Sequence, residues 1–291
     1  MELSARFRSA VAFAGQYPLL AGADLDVGTG EILVLRGANG AGKTSLLRAL
    51  AGLLPLFAGE AMVLGLDPTV DARRLRPQVG LLGHHNGLYE ELSAEQNVRF
   101  AVAAARLPKG RAGEALDRVG LTGRLASVPV AKLSAGQRRR VALAALLARR
   151  PPLWLLDEPH AGLDAENREL LDQVLKEVAS FGGTVVLASH DERTWDALAT
   201  RAVTMSGGAV LDGVLPTPEG SGPAMGQAVE LRKALEGLEG LPDLPDLPDA
   251  PDLPDAPDLP AAPDVHDVHD VHEATGGQLH QVLPEEVTNV A

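Results

Sequence analysis

Eight consecutive residues, Gly37-Ala38-Asn39-Gly40-Ala41-Gly42-Lys43-Thr44, match the pattern G-x-x-x-x-G-K-[ST]. They stand directly after the apolar run Ile32–Leu35 and directly before a segment of helical period, which is the context the motif requires. Glycines let successive backbone amides turn inward toward phosphate oxygens, and the helix beginning near Lys43 adds the positive end of its dipole. Lys43 is then placed to reach the β and γ phosphates of a nucleotide, and the Thr44 hydroxyl is a hard oxygen ligand for Mg²⁺. Ser45 continues the same turn as a further nucleotide contact. Farther along, the apolar run Leu153-Trp154-Leu155-Leu156 ends in adjacent carboxylates, Asp157 and Glu158. Alone, that is an ordinary strand exit with solvated charge. Beside a phosphate loop it becomes Asp157 in the Mg²⁺ shell and Glu158 as the general base or water-orienting group of phosphoryl transfer.

These groups have to be held by elements whose pattern is legible. Short β-branched runs predict strands at Ile32–Leu35, Val79–Leu82, Leu153–Leu156 and Thr184–Ala188, each ending where a Gly, Asp or Ser can open a loop. Longer Ala/Leu segments predict helices at Lys43–Leu53, Ala94–Arg106, Ala112–Val119, Ala135–Ala148 and Glu166–Ser180. Strands alternating with helices imply a mainly parallel, helix-covered sheet. The two helices after Ala94 follow one another without an intervening strand, so a small helical subdomain is expected within residues 84–150. Ser4–Val27 alternates and reads as antiparallel strands at one side.

The chain has 291 residues and divides by charge. Residues 216–291 hold 16 acidic and 2 basic side chains, a net −14 against a total of −13, so residues 1–215 carry +1. That body is long enough to bury a core of its own, and its near-neutral charge and few aromatics exclude the usual footprint of a nucleic-acid binder. The absence of cysteine excludes disulfides, thiolate zinc, iron–sulfur clusters and a thiol nucleophile. The longest apolar stretch, Val141–Ala148, is too short to span a bilayer, and the N-terminus does not read as a secretory signal. From Leu241 to Pro260 a Leu/Ala-Pro-Asp frame recurs, followed by Val-His-Asp repeats to Glu273. Proline at every third position forbids a helix and the like charges repel, so residues 216–291 are expected to be an extended, disordered tail. His266, His269 and His272 are either metal or haem-iron ligands or simply pH-responsive charge on that tail.

Between the two motifs stands Leu133-Ser134-Ala135-Gly136-Gln137, followed by Arg138-Arg139-Arg140. Here the chain resembles the ATP-binding-cassette family, whose signature loop is Leu-Ser-Gly-Gly-Gln, with Ala135 in place of the first Gly. The order of motifs agrees over about residues 3–215: phosphate loop, signature, Asp157-Glu158, Ala161-Gly162-Leu163-Asp164, then His190. The resemblance implies a P-loop NTPase fold with a RecA-like core, an N-terminal antiparallel β part and a helical subdomain. It also implies ATP and Mg²⁺ as cofactors, and a head-to-tail homodimer in which each ATP lies between one phosphate loop and the partner's signature. Ser134, Gly136 and Gln137 then address the opposite nucleotide, Asp164 crosses the dimer seam, Glu158 polarises the attacking water, and His190 contacts the γ-phosphate. The family usually has Gln in the loop entering the helical subdomain. Here the alignment sets His84 there as a metal or phosphate ligand, with plain surface histidines at 84 and 85 as the other reading. An aromatic residue of the N-terminal strands usually stacks on adenine; Phe13 and Tyr17 both qualify, and Tyr17 is preferred. Within the family, Leu82-Gly83-His84-His85-Asn86-Gly87-Leu88 and Leu153-Trp154-Leu155-Leu156-Asp157-Glu158-Pro159 are most similar to the ATP-binding subunit of the haem exporter of cytochrome c maturation. That resemblance implies integral membrane permease subunits as partners and a peripheral place on the cytoplasmic side of the inner membrane. A different cargo, a soluble cassette ATPase and a non-hydrolysing binding module are the alternatives.

Overall fold

The structure, a computed structural model, describes residues 2–83, 86–190 and 198–215. The chain separates into two compact units, Met1–Gly240 and Leu241–Ala291, and every described residue lies in the first. The expected tail, 216–291, with its His266, His269 and His272, lies outside the described residues.

The first element pair is a long hairpin, β1 (Leu3–Ala14) and β2 (Tyr17–Gly28), as the alternation of that segment predicts. A third strand, β4 (Ala58–Val63), pairs antiparallel with β1 through Ala5 and Val63, giving the order β2-β1-β4. A second sheet begins with β3 (Ile32–Arg36) and adds β5 (Val79–Leu82), β6 (Leu153–Asp157), β7 (Thr184–Ala188), β8 (Arg201–Ser206) and β9 (Ala209–Leu211). Its order is β5-β6-β7-β3-β8-β9, parallel from β5 through β8, with β9 returning antiparallel. Strands of a parallel sheet covered on both faces must be apolar at consecutive positions. In β6 the faces part cleanly. Leu153 and Leu155 pack with β1, β2 and α1 (Lys43–Leu50), whereas Trp154 and Leu156 pack with α3 (Ala94–Ala104), α4 (Arg111–Arg118), α5 (Ala135–Arg149) and α6 (Ala165–Ser180). The helices α3, α4 and α5 succeed one another without a strand, as the sequence predicts.

Several boundaries differ from expectation. Helix α1 ends at Leu50 rather than Leu53, because Gly52 takes φ +65 and a Cβ there would lie 3.0 Å from the Pro68 carbonyl oxygen, so the chain leaves the helix through a left-handed glycine. Helix α3 stops at Ala104 rather than Arg106, where Arg106 itself turns left-handed ahead of Pro108. The strands β4, β8 and β9 and the single-turn helix α2 (Ala72–Leu75) are absent from the sequence reading. In β4, four of the six residues are exposed and the run lacks both alternation and an apolar block.

Candidate functional site

In an open parallel sheet, ligands gather outside the carboxyl ends of the strands where the chain order reverses. Here β3 sits centrally between β7 and β8, and the phosphate loop leaves its end. Gly42 has φ +101, and a Cβ there would approach the Leu19 carbonyl oxygen to 2.9 Å, so the loop can close onto β2 only with glycine at this position. Lys43 is buried, and its ammonium donates to the carbonyls of Gly37 (2.7 Å) and Ala38 (3.1 Å), which anchor it across the loop. Ala38, Asn39 and Gly40 form the exposed lip, while Ala41 is tied down by its carbonyl accepting from Gly208 N–H at 3.1 Å. Thr44 is exposed and its hydroxyl donates to Asp157 Oδ2 at 2.7 Å; Ser45 is half-buried in the same turn. A hydroxyl and a carboxylate side by side fit Mg²⁺, which takes one or two carboxylates and completes its shell with water and substrate phosphate.

The parallel register Asp157↔Ala188 between β6 and β7 sets the residues that follow each strand beside one another. Glu158 donates its backbone N–H to the Ala188 carbonyl at 3.0 Å, and its Oε1 lies 2.9 Å from His190 Nδ1. Its φ is +46, a left-handed conformation that costs a non-glycine residue about 1–3 kcal/mol and persists only where the surroundings hold it. Lys43, Thr44, Asp157, Glu158 and His190 therefore converge at the ends of three adjacent strands, an arrangement able to hold a triphosphate and orient a water molecule against it.

The signature residues cap their own helix. Ser134 is the N-cap of α5: its hydroxyl accepts from Gln137 N–H at 3.2 Å, and Gln137 Oε1 accepts from Ser134 N–H at 2.9 Å. Both side chains serve this reciprocal cap, which leaves the first-turn amides of Ala135 and Gly136 as the unpaired donors of the helix end. Among the described residues no hydrogen bond joins Ser134 or Gln137 to the phosphate loop. Gly136 faces Leu163, 4.0 Å from the position of its would-be Cβ, so the signature and the segment carrying Asp164 are neighbours. Asp164 is exposed and caps α6, accepting from the Asn167 amide at 2.9 Å.

Of the two aromatics, Phe13 is half-buried and packs edge-on against Phe57 at 5.2 Å, whereas Tyr17 is 79% exposed, two residues before the Leu19 that abuts Gly42. His84 and His85 lie outside the described residues.

Two groups escaped the sequence reading. Arg139 is buried and bonds the backbone around Glu158. Burial pushes its guanidinium below the usual arginine pKa, and Asp157 pulls the other way. His160 is also buried, 2.7 Å from Asp172 of α6. No spacing rule marks either, since each contact joins segments distant in the chain. A cleft of about 890 Å³ opens between β5, α3 and α5, with Tyr89 and Phe100 stacked edge-on at 5.0 Å and Arg73, Arg76 and Arg149 on its walls. No helix among the described residues is long and apolar enough to cross a membrane.

Comparison with known proteins agrees with this geometry. The family model described as ABC transporter matches residues 20–161. The cytochrome c biogenesis ATP-binding export protein CcmA of Bordetella bronchiseptica is 44% identical over 180 residues, 60% of this chain and 77% of that protein. Its namesake in Rhodopseudomonas palustris is 42% identical over 195 residues, 67% of this chain and 94% of that one. Among solved structures, a dimeric post-hydrolysis ATP-binding cassette bound to ADP and Pi superposes with a TM-score of 0.66 at 26% identity, covering 71% of this chain and 96% of that one. An ATP-binding subunit of an ABC transporter gives 0.66 at 25% identity, covering 72% and 88%. Joined to the phosphate loop, the signature helix and the paired carboxylates at the carboxyl end of β6, these likenesses mean that the chain belongs to the ABC transporter family, as an ATP-binding ATPase subunit.

Proposed function

We propose that this ATPase powers haem export or haem delivery for cytochrome c biogenesis, working as a head-to-tail homodimer docked on integral membrane permease subunits at the cytoplasmic membrane face. The observation that carries the reading is the convergence of Lys43, Thr44, Asp157, Glu158 and His190 on a chain 44% identical to a cytochrome c biogenesis ATP-binding export protein. Residues 1–215 form the cassette, with a helical subdomain at about 84–150, and the acidic segment 216–291 lies outside it.

In the reaction, the loop amides of residues 37–42 and the Lys43 ammonium bind the β and γ phosphates, with Ser45 beside them and Tyr17 as the adenine platform. Tyr17 is favoured over Phe13 because its ring is free and its strand runs to the loop. Thr44 and Asp157 would hold Mg²⁺, which when bound would neutralise charge on the phosphates. Glu158, steadied by His190, orients a water molecule in line with the γ-phosphorus. The bond from water oxygen to phosphorus forms, the bridging oxygen leaves with ADP, and the water's proton passes to the carboxylate or to the released phosphate. The Ala135 and Gly136 amides, set by the Ser134 cap, close over the partner's γ-phosphate, where a helix N-terminus stabilises negative charge. Asp164 of the adjoining segment lies at the seam. The cleft beside α3 takes a segment of the permease and passes the closure to it.

The test is the c-type cytochrome content of cells lacking the protein. Loss restored by the wild-type gene and not by E158Q supports the haem reading. Normal content with a different export defect discards haem and leaves the ATPase in place.

A further inference from the structure

Arg139 lies in α5 five residues beyond Ser134, buried although it is a cation. Guanidinium offers five N–H donors in a rigid fork, and the structure aims them at five oxygens. Nη1 donates to the Gly83 carbonyl at 2.7 Å and to Asn86 Oδ1 at 3.1 Å. Nη2 donates to the carbonyls of Asp157 at 3.2 Å and Glu158 at 3.4 Å, and Nε to that of Pro159 at 3.4 Å. Three of these acceptors are consecutive and centre on Glu158, the residue held at φ +46. From the other side Glu158 N–H is fastened to Ala188 of β7. The strained peptide is therefore gripped between β7 and α5, and among the described residues the grip from α5 is the Arg139 side chain. Burying a cation is unfavourable unless its hydrogen bonds are satisfied, and an apolar side chain of similar size would serve if packing alone were needed.

We propose that Arg139 is a positioning residue for Glu158. It holds the carboxylate within reach of His190 and of the water, and it makes the signature helix, Gly83, Asn86 and Glu158 move as one body. The residue touches neither nucleotide nor water; it acts on the reaction through the backbone of residues 157–159. The second half of the inference rests on the head-to-tail dimer proposed above, because only there does a partner's nucleotide press on the N-terminus of α5. A displacement of the carboxylate on the order of 1 Å is enough to lower turnover about a hundredfold. Lysine preserves the charge but not the fork, so it can satisfy at most part of the acceptor set.

Full-length R139Q and R139K are compared with the wild type by equilibrium ATP binding, thermal midpoint and ATP turnover as a function of ATP concentration. The same substitutions in an E158Q background report ATP-dependent dimerisation by sedimentation. The expected result for R139Q is a kcat lowered at least about tenfold with KM, ATP affinity and dimerisation close to wild type, and for R139K a kcat between the two. Wild-type kcat in R139Q overturns the proposal. So does a loss of turnover matched by an equal loss of ATP affinity, or an unfolded chain in both variants, either of which makes Arg139 a residue of the fold alone. If E158Q by itself fails to dimerise with ATP, the dimer reading falls separately, and a selective kcat loss in R139Q still supports the positioning of Glu158.

Discussion

Glu158 combines three properties that single it out: a left-handed backbone, a carboxylate 2.9 Å from His190, and a position next to the Asp157 that bonds Thr44. Replacing it by Gln keeps the shape and removes the basic oxygen, so turnover should fall by at least ~10²-fold, the usual scale of general-base assistance. ATP binding should persist and the ATP-bound dimer should accumulate, both visible by nucleotide binding and sedimentation. His190→Ala should reduce turnover less than Glu158→Gln, because the carboxylate remains while its orienting partner is lost; a larger loss in the histidine variant would reverse the roles assigned to the pair. Lys43 is a buried ammonium at the floor of the loop. Removing its charge-assisted contacts to phosphate should weaken ATP affinity by about 10²-fold or more, as charged hydrogen bonds of this kind contribute roughly 1.5–3 kcal/mol each.

At the scale of elements, α5 carries the reciprocal cap between Ser134 and Gln137. Ser134→Ala leaves the Gln137 amide without its acceptor and should cost about 1 kcal/mol. For a domain of this size that is a fall of roughly 2–4 °C in thermal midpoint. If the proposed dimer is right, turnover should drop further than that small loss explains, since the cap also sets the amides assigned to the partner's nucleotide; turnover tracking stability alone would confine Ser134 to the fold. Helices follow from period and their ends from local chemistry, and the second signal is the less complete of the two. The start of α5 after Ser134 and of α3 after Ser93, also a reciprocal cap, carry the Ser-x-x-Gln signal in the sequence. The early end of α1 has a signal too, in Gly52, but that glycine is forced by the approach of Pro68, sixteen positions away, which no local pattern shows. Strand β4 pairs with β1 and buries only Val63, with Ala61 half-buried on the same face, too little to mark it in the sequence.

For the whole molecule, no hydrogen bond joins Ser134 or Gln137 to the phosphate loop among the described residues, and in the proposed head-to-tail dimer a second copy completes the pocket. Specific ATPase activity should accordingly rise with protein concentration and rise again when membrane subunits are co-expressed; activity per chain that stays flat on dilution to well below the dimerisation range would show that one copy suffices. The loop itself is legible without coordinates, because a phosphate loop has to be contiguous: successive amides, a lysine and a hydroxyl fall within the eight residues Gly37 to Thr44, directly between β3 and α1. Asp157-Glu158 was legible as the polar end of an apolar strand for the same local reason. What the linear order could not settle was which distant segments face one another. The sheet order β5-β6-β7-β3-β8 is what seats His190 against Glu158 and Thr44 against Asp157. The buried Arg139 and the His160–Asp172 pair likewise exist only through contacts across the fold. Periodicity and capping are properties of neighbours along a chain, whereas strand register and the satisfaction of a buried charge depend on packing between segments tens of residues apart, and only the tertiary structure decides those.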